Sequence, residues 1–157
     1  MTELHEELKS LGESKTSYPM TYDPSVLEYF PNPQQETTYE IEISVPEVTC
    51  LCPKTGQPDF ATFEIKYSPR ERCLESKSLK LYLFSYRQTG IFHEAMTNKV
   101  ARDLFDLLEP WWLEIKGKFM PRGGISFHPK VRLENKNAYM DKVLGPLMKK
   151  KKKNEPI

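Results

Sequence analysis

Four segments alternate apolar and charged side chains with a period of two, the signature of half-buried strands. In the first, Tyr39, Ile41, Ile43 and Val45 alternate with Glu40, Glu42 and Ser44. The second sets Ala61, Phe63, Ile65 and Tyr67 against Thr62, Glu64 and Lys66. The third sets Leu113, Ile115 and Phe119 against Glu114, Lys116 and Lys118, and the fourth Ile125, Phe127 and Val131 against Ser126, His128 and Lys130. Between the two pairs the period changes. Leu79, Tyr82, Leu83 and Tyr86 follow i, i+3, i+4, i+7, with Gly90 as a stop. Met96, Val100, Leu104, Leu107 and Leu108 repeat the helical spacing up to Pro110. The predicted order is ββααββ, an α+β fold in which two helices cover one face of an antiparallel four-stranded sheet. Two sheet edges stay open, which favours oligomerisation by edge pairing.

Before the first strand, Pro19, Pro24, Pro31 and Pro33 interrupt any long element. This predicts an irregular arm over residues 1–37, with one short helical turn around Pro24–Tyr29 and Tyr18, Tyr22, Tyr29 and Phe30 pinning it down. A main folded domain over 38–135 and an extension over 136–157 complete the organisation, and 157 residues suit a single domain. The extension ends in a lysine run, Lys149 to Lys153. It reads as a solvated tail, because like charges repel.

The lysine run changes the meaning of the net charge of +1. Residues 1–148 hold 18 basic and 21 acidic side chains, so the folded part is mildly acidic. That argues against direct nucleic-acid binding by charge. No apolar run approaches the ~18 residues of a membrane span. Met1 to Gly12 hold no apolar signal core, so the expected compartment is the cytoplasm. Three cysteines, Cys50, Cys52 and Cys73, are too few for a disulfide scaffold. In a reducing compartment each is a buried thiol, a metal ligand or a nucleophile.

Four segments carry candidate chemistry. The first, Glu47 to Phe60, is a loop stiffened by Pro53, Gly56 and Pro58 and presenting Cys50, Cys52 and Asp59. A nucleophilic Cys52 with Asp59 moving protons is one reading; inert thiols, or a metal held by Cys52, Cys73 and His93, are the others. The second, Glu75 to Tyr82, offers Ser76 as a helix N-cap and puts Lys77 and Lys80 on one helical face near a helix start, a place for phosphate. The third, Phe92-His93-Glu94, opens the second helix; Glu94 is a dipole partner or a carboxylate for the N–H edge of a guanine-like base. The fourth, Pro121-Arg122-Gly123-Gly124, is a hairpin turn whose arginine suits phosphate.

Together these segments resemble the NADPH-dependent 7-cyano-7-deazaguanine reductases. Cys52-Pro53-Lys54-Thr55-Gly56-Gln57-Pro58-Asp59-Phe60 looks like the family's nucleophile loop, and Glu75-Ser76-Lys77-Ser78-Leu79-Lys80-Leu81-Tyr82 like its signature motif. His93-Glu94 and Pro121-Arg122-Gly123-Gly124 match two further blocks, so the resemblance runs from about Tyr22 to Phe127. It implies the tunnelling fold and an oligomeric ring, a decamer of two stacked pentamers with active sites at subunit boundaries. It also implies reduction of a deazapurine nitrile to an aminomethyl group with two NADPH and no metal, a step towards queuosine in tRNA. Cys52 and Asp59 are the catalytic pair so implied. Leu74, Glu75, Ser76, His93 and Glu94 are implied as the substrate contacts, and Ser76, Lys77, Lys80, Arg122 and Gly123 as the cofactor contacts. A zinc-dependent tunnelling-fold cyclohydrolase or synthase and a non-catalytic purine-binding protein are the alternatives.

Overall fold

The structure is a computed structural model and describes residues 17–136. The stretch Met1–Gly12 and the lysine run lie outside the described residues. Eight elements follow the chain: β1 (Tyr29–Pro31), β2 (Ile41–Leu51), β3 (Pro58–Ser68), β4 (Arg72–Leu74), α1 (Ser76–Phe84), α2 (His93–Leu108), β5 (Trp112–Phe119) and β6 (Lys130–Glu134). A 3-10 turn at Pro24–Val26 precedes them, capped by the Asp23 side chain. The main sheet is antiparallel in the order β2-β3-β5-β6. The fold is α+β, as the alternation predicts. Among the described residues no helix is long and apolar enough to cross a membrane.

One sheet face is dry. Phe63, Ile65 and Tyr67 of β3 and Leu113 and Ile115 of β5 are buried against Met96, Val100, Leu104 and Leu108 of α2 and Leu79, Tyr82 and Leu83 of α1. Each such side chain contributes about 1.5–3 kcal/mol of apolar burial. The opposite face carries the charges, paired across strands as Glu42 with Lys66, Glu64 with Lys118 and Glu114 with Lys130.

The elements differ from the sequence expectation in five places. The arm is not wholly irregular, because β1 pairs with β4 in a second, two-stranded sheet; three-residue strands are too short to show a period. The arm is held by Tyr22, whose hydroxyl donates to Asp103 Oδ2 at 2.7 Å, beside Tyr82, which donates to the same oxygen at 2.5 Å. Second, β2 runs to Leu51 instead of stopping near Val45. A bulge between Val45 and Val48 absorbs Pro46, which has no N–H for the ladder, and pairing then resumes. Third, α1 ends at Phe84, although Tyr86 is buried as its spacing requires. Fourth, Ser76 is not the N-cap of α1. Glu75 is, its carboxylate accepting from the N–H groups of Lys77 (2.8 Å) and Ser78 (2.6 Å).

The fifth difference shapes the site. Ile125 and Phe127 are not strand residues facing the core, because β6 begins only at Lys130. They are 65% and 49% exposed. The chain turns back at Arg122–Ile125, where Gly123 and Gly124 both take positive φ (56° and 78°) and the outer residues exchange two hydrogen bonds of 3.0 Å. Positive φ at both central residues is the hairpin turn that two glycines permit.

Candidate active site

The bulged continuation of β2 brings the chemistry together. Cys50 pairs with Asp59 and Leu51 with Pro58, so the long loop expected from the sequence contracts to a hairpin tip of six residues, Cys52 to Gln57. Cys52 N–H donates to Gln57 C=O at 2.8 Å, and Gly56 N–H donates back to Cys52 C=O at 2.9 Å. Gly56 sits at φ 69°, which a turn this tight requires. The tip is anchored from below: Leu51 N–H donates to Thr89 C=O and Ile91 N–H to Leu51 C=O, each at 3.0 Å. Gly90, expected as a helix stop, is a contact point, since a Cβ there would lie 3.3 Å from Pro53 Cα.

Three cysteines meet three environments. Cys52 is half-exposed at the tip, where the Thr55 hydroxyl, then the backbone N–H groups of Lys54 and Thr55, and more weakly Arg122, hold its thiol down to about 7. Thr55 is set up for this. Its oxygen accepts from Gln57 N–H at 3.3 Å, leaving the hydroxyl proton for the sulfur. Cys50 is buried, and desolvation, then the Asp59 charge, push its thiol up to about 12. Burial also raises Cys73, which sits on β4 and lies 3.6 Å from the Tyr39 hydroxyl. Only Cys52 therefore offers a thiolate near neutral pH. Thr55→Val removes the leading hydrogen bond. The midpoint of the pH profile for iodoacetamide alkylation of Cys52 then rises from about 7 towards the ~8.5 of a free thiol, and the rate at pH 7 falls roughly fivefold. Thr55→Ser keeps the wild-type profile.

Asp59 is the second centre. It is 6% exposed and both of its oxygens are engaged. Oδ1 takes the Arg122 guanidinium at 2.6 Å and Oδ2 faces His93 Nε2 at 3.2 Å. The same guanidinium nitrogen of Arg122 donates to the carbonyls of Gln57 and Pro58 at 3.2 Å, tying the glycine turn to the cysteine hairpin. His93, the first residue of α2, is stacked on Phe119. Glu94 follows in the first helical turn, where the helix dipole favours a carboxylate. Cys52, Asp59, His93, Glu94 and Arg122 line one cavity of about 280 Å³, walled also by Pro53, Ile91, Phe92, Met120, Ile125 and Phe127. Apolar walls with a few convergent polar groups are the usual make-up of a small-molecule site.

The remaining candidates fall elsewhere. Leu74 and Glu75 are buried, and Glu75 uses its carboxylate as the α1 cap. Ser76 and Lys80 line a separate groove of about 870 Å³ between α1 and the free edge of β2, together with Leu74, Ser44, Glu47 and Arg87. Lys77 lines neither cavity, and Gly123 lies at the turn beside Arg122. Cys73 does not line the cavity that Cys52 and His93 share, and among the described residues no cluster of three or more His, Cys, Asp or Glu is placed to hold a metal ion. Sequence reasoning missed Thr55, Phe119, Met120, and the use of Ile125 and Phe127 as walls. The only local signal was Thr55 three residues after Cys52 in a proline-flanked turn.

A thiol of lowered pKa at a hairpin tip, a buried carboxylate in the same cavity and apolar walls are the make-up of the class of sites in which cysteine reacts with a small molecule. Comparison with known proteins narrows that class. The family model described as QueF-like protein matches residues 58–138. An NADPH-dependent 7-cyano-7-deazaguanine reductase of Streptococcus mutans is 55% identical over 123 residues, 78% of this chain and 76% of the relative. The protein of the same name from Bacillus velezensis is 52% identical over 132 residues, 82% of this chain and 80% of the relative. Among solved structures, the apo archaeosine synthase QueF-Like superposes with a TM-score of 0.56 at 18% identity, covering 59% of this chain and 91% of that one, a likeness of fold. The chain belongs to the QueF-like family of NADPH-dependent 7-cyano-7-deazaguanine reductases.

Proposed function

We propose that this protein reduces the nitrile of 7-cyano-7-deazaguanine to an aminomethyl group, consuming two NADPH, as part of queuosine biosynthesis. The observation that carries the reading is Cys52, held near neutral ionisation, sharing one small cavity with Asp59 and Glu94. A nitrile carbon accepts hydride poorly until a nucleophile has added to it. Cys52 forms the S–C bond as a thiolate, and the nitrogen takes a proton by way of Asp59, giving a thioimide. Hydride from the first NADPH adds to the same carbon and a second proton reaches the nitrogen. The S–C bond then breaks, Cys52 leaves as thiolate and a protonated imine remains. Hydride from the second NADPH completes the amine. Two hydrides and two protons are consumed, and Cys52 is regenerated. Glu94 accepts from the N–H edge of the base, and the apolar walls exclude water around the reacting carbon.

The groove between α1 and β2 suits the dinucleotide. Ser76, Lys80 and Arg87 supply polar and cationic groups for phosphate, over apolar walls from Leu79, Leu83 and Phe84. The substrate and cofactor contacts implied for Leu74, Glu75, Ser76, Lys77 and Lys80 are then made across a subunit boundary, in a tunnelling-fold ring that joins the free sheet edges. A decamer of two stacked pentamers in the cytoplasm, acting on the free base and not on tRNA, follows from the same reading. In this reading the nucleophile itself activates the nitrile, and the chemistry calls on no metal.

The test is intact mass spectrometry after mixing the protein with the cyano base and no NADPH. The expected result is a gain of one base mass on Cys52, followed on adding NADPH by loss of the adduct and oxidation of two NADPH per base. Binding of the base without a mass gain would instead mark a non-catalytic purine-binding protein and overturn the proposal.

A further inference from the structure

The imidazole of His93 lies flat on the Phe119 ring, with centroids 3.8 Å apart and planes 10° apart. Phe119 is 3% exposed and braced edge-on by Phe63, centroids 5.9 Å apart. The bracket extends through Gly117, on the same face of β5. A Cβ at Gly117 would lie 2.9 Å from Phe119 Cε2 and 2.9 Å from Thr97 Oγ1, so only glycine admits both neighbours. The Thr97 hydroxyl in turn donates to the His93 carbonyl at 2.8 Å, which fixes the first turn of α2. The backbone of His93 is thus set by α2, but its ring plane is not. The last torsion of histidine is broad and soft, so a neighbouring surface must choose it. Phe119 is the surface the ring stacks on, while Phe127 meets it only edge-on, centroids 6.3 Å apart. In the plane it selects, Nε2 reaches Asp59 Oδ2 at 3.2 Å. His93 and Asp59 line the cavity and Phe119 does not.

We infer that Phe119 is a positioning residue: its stack on His93 fixes the imidazole plane and, through it, the 3.2 Å approach of Nε2 to Asp59 Oδ2. The inference rests on the nitrile-reductase reading for its kinetic readout and on geometry alone for its spectroscopic one. Small misplacement of a reacting group costs on the order of 10- to 100-fold in rate.

The test is a double-mutant cycle of Phe119→Leu and His93→Ala in the full chain. Phe119→Leu lowers kcat about tenfold or more with KM for the cyano base within about threefold, and costs nothing further in the His93→Ala background. Additive losses would make Phe119 a packing residue and overturn the inference, as would an unchanged kcat. Nitrogen-15 NMR of histidine-labelled protein supplies a readout that does not need activity. In folded Phe119→Leu the His93 ring resonances move towards those of free imidazole; unchanged resonances also overturn the inference. Should Phe119→Leu fail to fold, Phe119→Met removes the ring while keeping an apolar filler. Absence of nitrile reduction in the wild type would count against the proposed function and leave the NMR comparison to decide the stack.

Discussion

Cys52→Ala gives a folded protein that binds 7-cyano-7-deazaguanine, gains no mass from it and turns over at least on the order of 10⁴-fold more slowly than wild type. Folding survives because Cys52 is half-exposed at a hairpin tip and its thiol packs into no part of the core. The tip itself is held by backbone bonds, Cys52 N–H to Gln57 and Gly56 N–H to Cys52, that alanine keeps. What disappears is the one sulfur that four hydrogen-bond donors stabilise as an anion. Neither other cysteine can replace it: Cys50 is buried and raised to about 12, and Cys73 lies on β4 against Tyr39. Cys52→Ser is expected to be nearly as inactive, because an alcohol in the same hole stays protonated at neutral pH. The pH dependence of adduct formation in the wild type follows from the same ionisation. The attacking form is the deprotonated one, so the rate rises with pH, reaches half its limit at about 7 and levels above that. Residual adduct on Cys52→Ala, or a profile centred near the ordinary thiol value, would contradict the assignment.

Much of this was legible in the sequence because the sheet has two chemically opposite faces. Glu42, Glu64 and Glu114 lie on the charged face and pair with Lys66, Lys118 and Lys130, while Phe63, Ile65, Leu113 and Ile115 are buried. A period of two follows directly from that contrast. Where a segment serves neither face, the pattern misled. Ile125 and Phe127 alternate like strand residues, yet they lie before β6, past a double-glycine turn, and wall the cavity. Pro46 hid the second half of β2, since a bulge looks like a strand end when only side chains are read. Ser76 has the usual cap chemistry, but Glu75 is one residue earlier and long enough for its carboxylate to reach two N–H groups. At the site, Cys52, Asp59, His93, Glu94 and Arg122 were all nameable from their segments, and the structure brings those five together. Their mutual roles were not readable. Arg122 is 63 residues from Asp59 in the chain, and only the meeting of two hairpins shows that the guanidinium grips the carboxylate. Thr55 and Phe119 act through a turn and a stack, and neither leaves a periodic trace.

Asp59→Asn separates proton supply from nucleophilic attack. Asparagine has the shape of aspartate, can still accept from Arg122 on its carbonyl oxygen and can still face His93 with its amide. The cost to stability is about 1–2 kcal/mol, less than a fully buried ion pair loses, because a third of the Arg122 side chain is open to solvent. The expected effect on turnover is far larger, a loss on the order of 10²- to 10⁴-fold, since the amide has no proton to give when charge develops on the nitrile nitrogen. The thiol is affected much less. Thr55 and the backbone N–H groups of Lys54 and Thr55, the leading causes of its lowered ionisation, are untouched by the change. Alkylation of Cys52 by iodoacetamide therefore stays within about twofold of wild type at pH 7 while nitrile reduction collapses. Cys50 stays inert in the variant, because burial outweighs the Asp59 charge among the causes that raise it. Loss of alkylation together with turnover would mean that Asp59 serves the sulfur and not the substrate. Full turnover in Asp59→Asn would remove the carboxylate from the chemistry altogether and leave His93, still stacked on Phe119, as the group that reaches the nitrogen.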